Sequence, residues 1–287
     1  MKKNIKMVGE EFFIEKTPAV LYKKRAIKNA EKSGENQNLK KSGKVFLVVH
    51  GQGGNKEEAA DFAPVALKHG YDVLAIDLPA HGGRTDGAEF LPWVVIPELK
   101  AAFKFAKSRY KSVSVRATSI GAWLSLLAFK GEKIDECLLV SPLFDMEGMI
   151  FGMMKAAGVT EEKLKAEKVI NADLGGGNFA VLSWEYLQFA RNNEPQPLCE
   201  KTFVLRADND ETISAKTVED FCEKFGCELT VLSGGEHWLH TESDKLRVKN
   251  WENRCLKNRS RFFVARNFLL FWTFFIGIGA LCGEAFE

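Results

Sequence analysis

The stretch "VRATSIGAWLS", Val115 to Ser125, decides how this chain is read. A β-branched run closes on Ala117-Thr118, a serine stands at 119, and an apolar helical run begins at once. Small residues sit two positions away on each side, Ala117 before and Gly121 after. A serine ahead of a helical run is most often an N-cap, its hydroxyl accepting an early helical N–H. A serine on a sharp strand-to-helix turn is a different object. There the turn lifts the oxygen out of the sheet, and the flanking positions must be small for the turn to pack against neighbouring strands. The eleven residues permit both readings, and the rest of the chain must choose.

Outward from that stretch, apolar strand-like runs alternate with helical patterns. Strand patterns cover "KVFLVVHG" (44–51), the start of "YDVLAIDLPAHGG" (71–83), "SVSVRA" (112–117), "ECLLVSP" (136–142), "KTFVLRA" (201–207) and "CELTVLSGG" (227–235). Helical spacing covers 55–70, 95–110, 119–130 and 215–226. Continuous apolar strands separated by helices predict an α/β fold: a mostly parallel sheet with helices on both faces. Such sheets collect ligands at the C-terminal edge of their strands. Residues 1–43 read as an antiparallel strand pair and a polar loop of the same domain. Residues 44–142 and 201–251 form the α/β core. Residues 143–200 form a helical insertion at the ligand edge, a candidate lid, and 252–287 a basic, then apolar tail.

Composition sets outer bounds. The chain has 287 residues, 46% hydrophobic and 27% charged, with a net charge of +2. That balance gives no reason to expect a nucleic-acid partner. Six cysteines are scattered without a C-x-x-C pair, which argues against a zinc site or a disulfide framework. The N-terminus is basic but lacks an apolar core, so the expectation is a reduced, cytoplasmic protein. The tail disturbs that expectation. "FLLFWTFFIGIGALC" (268–282) is uncharged and follows Arg254, Lys257, Arg259, Arg261 and Arg266. A helix over 268–283 would span about 24 Å, short of the roughly 30 Å hydrocarbon core. Starting at Phe262 restores the length and places Arg266 where it would snorkel to headgroups. Residues 262–283 are therefore a candidate membrane contact, with a tail lying on the surface as the alternative.

Polar groups fall just after the predicted strands. Ser119 follows the 112–117 run, Asp208 and Asp210 follow 201–207, His237 follows 227–235, and "HGQGGN" follows 44–50. The order serine, acid, histidine is that of one broad class of serine hydrolases. With "VVHGQGG" (48–54), "DLPAHGG" (77–83), "ATSIG" (117–121), "ADND" (207–210) and "GGEHW" (234–238), the chain resembles the α/β-hydrolase fold superfamily. The likeness is greatest to bacterial esterase-like members and covers roughly residues 10–251. Ala117 departs from the usual glycine by one methyl group.

The resemblance implies a serine hydrolase acting on a carboxylic ester or related small acyl compound through an acyl-enzyme, with no metal or organic cofactor. Ser119 would attack, His237 would take and return the proton, and Asp210 would orient the imidazole. The backbone N–H groups of Gln52 and Ile120 would receive the oxyanion. Asp208 and Asp145 remain alternatives for the acid and His240 for the histidine. His50 and His81 are expected to pin loops, and His69 to cap a helix. Arg116, inside a strand, calls for a carboxylate partner that the sequence does not name. Met149, Met153, Trp184 and Trp93 are candidates for the substrate pocket, with packing of the insertion as the plainer role for the methionines. A non-catalytic binding protein of the same fold, or an acyltransferase or peptidase using the same three groups, also fits the sequence. Oligomeric state is left open.

Overall fold

Alternation along the strands shows how the sheet is covered. On the strand Ser42–Val49, Val45, Leu47 and Val49 join one buried cluster, while Phe46 and Val48 join a second on the opposite face. Both sets are almost wholly inaccessible, as expected for a strand with helices on each side. The structure, a computed structural model, describes residues 7–24 and 41–257.

In chain order the strands are β1 (Met7–Ile14), β2 (Thr17–Lys24), β3 (Ser42–Val49), β4 (Tyr71–Ile76), β5 (Tyr110–Thr118), β6 (Cys137–Val140), β7 (Val169–Gly175), β8 (Asn178–Ser183), β9 (Thr202–Ala207) and β10 (Glu228–Leu232). The helices are α1 (Ala59–Lys68), α2 (Pro92–Arg109), α3 (Ile120–Ala128), α4 (Met146–Ala156), α5 (Glu161–Glu167), α6 (Trp184–Asn192), α7 (Ala215–Phe225) and α8 (Glu242–Lys257). One 3-10 turn, Lys56–Glu58, precedes α1. Eight strands form one sheet in the order β1-β2-β4-β3-β5-β6-β9-β10. The β1–β2 and β2–β4 pairs are antiparallel and every later pair is parallel. Register is set by apolar pairs such as Leu47 opposite Val115 and Leu139 opposite Val204. One face is covered by α2, α3 and α7 through Val95, Leu99, Trp123, Leu126, Val218 and Phe221. The other is covered by α1 and α8 through Phe62, Ala63, Val248 and Trp251.

Two sequence expectations need correction. The segment 143–200 is not all helical. It holds α4, α5 and α6, but also a two-stranded hairpin, β7–β8, in which Asp173 pairs with Phe179. Gly175, Gly176 and Gly177 all take positive φ and form the tip of the hairpin. Ala172 and Leu182 face inward while Val169, Phe179 and Val181 stay exposed. The core also extends past 251. α8 continues to Lys257 and buries Trp251, Glu252, Cys255 and Leu256. The expected membrane contact at 262–283 and the polar run after β2 lie outside the described residues. Among those described, no helix is long and apolar enough to cross a membrane.

Candidate active site

The parallel strands β3, β5, β6, β9 and β10 deliver their C-terminal ends to one edge, and the turns that leave them build the site. Ser119 is the turn between β5 and α3. Its backbone sits at φ 50°, ψ −124°, a region that side-chain-bearing residues rarely occupy. Its hydroxyl caps no helical N–H, so the N-cap role does not apply. The strain is held from several sides. Ser119 N–H donates to the Val140 carbonyl at 3.0 Å, and its own carbonyl accepts from Ala122 at 3.0 Å and Leu143 at 3.2 Å. Gly121 is required because a Cβ there would lie 2.1 Å from the His50 carbonyl oxygen. Ala117 is fully buried, so the methyl that departs from the familiar glycine is accommodated in the core.

Ser119 Oγ lies 2.9 Å from His237 Nε2, and His237 Nδ1 lies 2.7 Å from Asp210 Oδ2. A carboxylate only accepts, so Nδ1 carries the hydrogen and Nε2 is left to accept from the serine hydroxyl. All three side chains are buried. The choice between the two aspartates is explained by their turns. Asp210 Oδ1 accepts the backbone N–H groups of Thr212 and Ile213, both at 2.9 Å, which aims Oδ2 at the imidazole. Asp208 instead accepts the Gly234 N–H at 2.6 Å and ties the β9 loop to the β10 loop. Hydrogen bonds from the Ser233 side chain and then from the Gly234 N–H lower its pKa. Asp145 caps α4 by accepting the Gly148 N–H at 2.7 Å and takes no part in the relay.

The loop after β3 approaches the serine closely: a Cβ on Gly51 would lie 3.2 Å from Ser119 Cβ. Gln52 follows and lines the same cleft as Ser119. Ile120 opens α3, so its N–H belongs to the helix's unpaired first turn. Two motifs brace this loop. His50 Nε2 accepts the Leu78 N–H at 3.0 Å while Nδ1–H donates to the Gly51 carbonyl at 2.8 Å. Burial pushes its pKa down to about 4, so the ring is neutral. Asp77, fully buried, accepts the backbone N–H groups of Lys56 at 2.7 Å and Gly83 at 3.0 Å, and the Lys56 ammonium at 3.2 Å. Gly82 takes φ 56°, and a Cβ there would overlap Asp77 Oδ1 at 2.2 Å.

A cleft of about 330 Å³ opens beside Ser119 and His237, between α1 and α8. Gln52, Trp238 and His240 line it, together with Glu58, Arg116 and Glu252. Trp238 is exposed and meets the His237 ring edge-on at a centroid distance of 5.1 Å. The partner missing for Arg116 is Glu252: Nε donates to its carboxylate at 3.2 Å, and Nη1 donates to Thr118 Oγ1 at 2.6 Å. Burial pushes the Glu252 carboxyl up, and Arg116 opposes that shift. His240 lines the cleft but does not touch Ser119, and His69 ends α1 with Nε2 2.9 Å from Asn253 Oδ1.

The expected apolar pocket does not share this cleft. Met149 and Met153 line a separate cavity of about 530 Å³ with Leu143, Ile213 and Thr217, beside the turn that follows Asp210. Trp93 packs against Tyr186 and Phe189 at another opening, and Trp184 packs on the core with Lys165 over its ring. Ser141 was missed by sequence reasoning. Fully buried at φ 44°, it donates its hydroxyl to the His237 carbonyl at 2.9 Å and so holds the histidine loop. The only sequence signal was a Ser-Pro pair closing a strand. Among the described residues, no group of histidine, cysteine, aspartate or glutamate side chains is arranged to hold a metal ion.

No family model matches the chain, and no curated protein matches it. Solved structures do. Est1E from Butyrivibrio proteoclasticus, with ferulic acid bound, is 15% identical, covers 88% of this chain and 99% of its own, and superposes with a TM-score of 0.65. Alpha/beta hydrolase domain-containing protein 10 from mouse is 12% identical over 88% of this chain and 99% of its own, with a TM-score of 0.61. A putative hydrolase from Agrobacterium vitis S4 is 12% identical over 88% and 100%, with a TM-score of 0.60. At such identities shape is what is shared. A mostly parallel eight-stranded sheet, entered by an antiparallel β1–β2 pair and matched in shape over most of the chain, has one reading: this protein has the α/β-hydrolase fold.

Proposed function

We propose that the chain is a serine hydrolase that cleaves a carboxylic ester or related small acyl compound through an acyl-enzyme. The observation that carries this reading is the unbroken relay from Ser119 through His237 to Asp210, with contacts of 2.9 and 2.7 Å. A serine hydroxyl is a poor nucleophile until a base takes its proton, and His237 Nε2 is placed to do so as Oγ attacks the acyl carbon. Asp210 holds the imidazole in the required tautomer and stabilises the imidazolium that forms. The developing oxyanion accepts from the N–H groups of Ile120 and Gln52, which sit on a turn and a loop braced before substrate arrives. His237 then returns the proton to the leaving alcohol, and water repeats the sequence to release the acid. A binding protein of the same fold would have no use for a strained serine backbone, which supports catalysis over mere binding.

The test is covalent. A fluorophosphonate probe should label the chain at Ser119, and Ser119→Ala should abolish labelling with its circular dichroism unchanged. Hydrolysis of an activated ester should fall on the order of a millionfold in kcat. A folded Ser119→Ala variant that keeps its rate would overturn the proposal. Labelling without ester turnover would redirect it to acyl transfer or peptide cleavage.

A further inference from the structure

Four of the cysteines gather at the sheet edge opposite Ser119, and two are brought together by the way α7 ends. Gly226, at φ 68°, gives the helix a left-handed C-cap. Its N–H bonds to the Cys222 carbonyl, and the Cys227 N–H reaches the same carbonyl at 3.0 Å. That second bond is the closure of a Schellman-type cap, which places the side chains of its first and last residues against each other. In caps of this kind those two positions frequently hold an apolar contact. Here both are cysteines, so the cap sets the two thiols side by side, and each shifts the pKa of the other. Both thiols are free. Cys222 is buried against Val218 and Phe221 in the core, while Cys227 is only half-buried at the start of β10. Cys137 and Cys199 lie close enough to be felt electrostatically, Cys137 wholly buried at the start of β6 and Cys199 donating to the Lys201 carbonyl at 3.5 Å.

We infer that Cys222 and Cys227 are a redox-active dithiol, a modification site separate from the hydrolase machinery, which closes to an intramolecular disulfide on meeting a low-molecular-weight disulfide. The roles of the two sulfurs differ. Cys227 is the attacking sulfur, because it is partly exposed and its pKa is lowered by its neighbour Cys222. Cys222, buried in the core with its pKa raised by its neighbour Cys227 and by burial, is the resolving sulfur. With oxidised glutathione as the oxidant, the Cys227 thiolate attacks one glutathione sulfur and expels the other as a thiolate, leaving a mixed disulfide. Cys222 then gives up its proton, attacks Cys227 Sγ and expels the second glutathione. One disulfide is reduced to two thiols, and two protein thiols are oxidised to one disulfide. The new bond would staple the end of α7 to the start of β10, leaving the Asp210 and His237 turns at the far ends of those elements.

The full-length chain, folded, is incubated with oxidised glutathione, blocked with iodoacetamide, then denatured and digested with trypsin without reduction. Lys224 lies between the two cysteines, so cleavage puts them on separate peptides, 217–224 and 225–245. The expected product is these two peptides joined, or the uncut 217–245 peptide lighter by two hydrogens. Cys222→Ser and Cys227→Ser should each abolish it, and Cys199→Ser should retain it. The oxidised chain should keep fluorophosphonate labelling if the hydrolase reading holds, but the peptide map stands whether or not it does. Recovery of both peptides only as alkylated or glutathionylated monomers would overturn the inference, as would Cys227 joined to any other cysteine.

Discussion

Acid should weaken the fold through one histidine at the end of β3. His50 accepts the Leu78 N–H on Nε2 and donates from Nδ1 to the Gly51 carbonyl, so a second proton would have to displace the Leu78 bond. Its surroundings do not favour the charge. The His81 ring stands 5.2 Å away, and the negative charges of Asp77 and Glu57 only partly offset the cost of burial. The folded-state pKa is about 4, against 6.5 for the exposed group. As pH falls through 6.5 the unfolded chain takes a proton that the folded chain refuses until about 4. Over that window the unfolded state binds more protons, so stability falls with falling pH, by up to about 1.4 kcal/mol per pH unit. From pH 7.5 to pH 5 the loss from this residue is about 2 kcal/mol, rising to about 3 kcal/mol below pH 4. Glu252 acts in the opposite sense: its raised carboxyl lets the folded state hold its proton longer. The comparison must therefore be made against His50→Gln, which keeps Glu252 and removes only the imidazole. Urea unfolding of both proteins at several pH values measures it. The gap between them should shift against the wild type by about 2 kcal/mol on going to pH 5. Parallel stability lines for the two proteins would refute the account of His50 as a buried neutral strut.

Other changes have equally definite outcomes. Gly121→Ala drives a methyl to within 2.1 Å of the His50 carbonyl oxygen, so it should lower Tm by an amount corresponding to about 3 kcal/mol and remove ester hydrolysis with it. Asp210→Asn should lower kcat on the order of ten-thousandfold by favouring the wrong imidazole tautomer, whereas Asp208→Asn should cost less than tenfold; steady-state kinetics on an activated ester separates them. Arg116→Met should destabilise the protein by about 3 kcal/mol in denaturant titration, because Glu252 is left buried without its partner. Pairing it with Glu252→Met should recover most of that loss.

Much of this molecule was legible because strands and turns carry local signatures. Runs such as "KVFLVVHG" and "KTFVLRA" are apolar on both faces, as a covered parallel sheet requires, and both are interior strands of the sheet. Ser119 was readable as a turn because sterics demand Gly121, and Asp210 and His237 because each follows a strand end by a short loop. The hairpin β7–β8 was less legible. Its alternation is weak, with Val169, Phe179 and Val181 exposed, so periodicity could not reveal it.

By itself the sequence determined the α/β layering, the edge at which polar groups would meet, and the residues able to form a proton relay. Each depends on patterns within a few residues of one another. The tertiary structure alone decided which groups from distant segments meet. Glu252, 136 positions along the chain, answers the charge of Arg116, and Ser141 supports His237 from 96 positions away. It also placed Met149 and Met153 around a cavity separate from the serine cleft, and used α7's cap to bring Cys222 against Cys227. Such pairings depend on how helices dock on a twisted sheet, and no local pattern of residues encodes that docking.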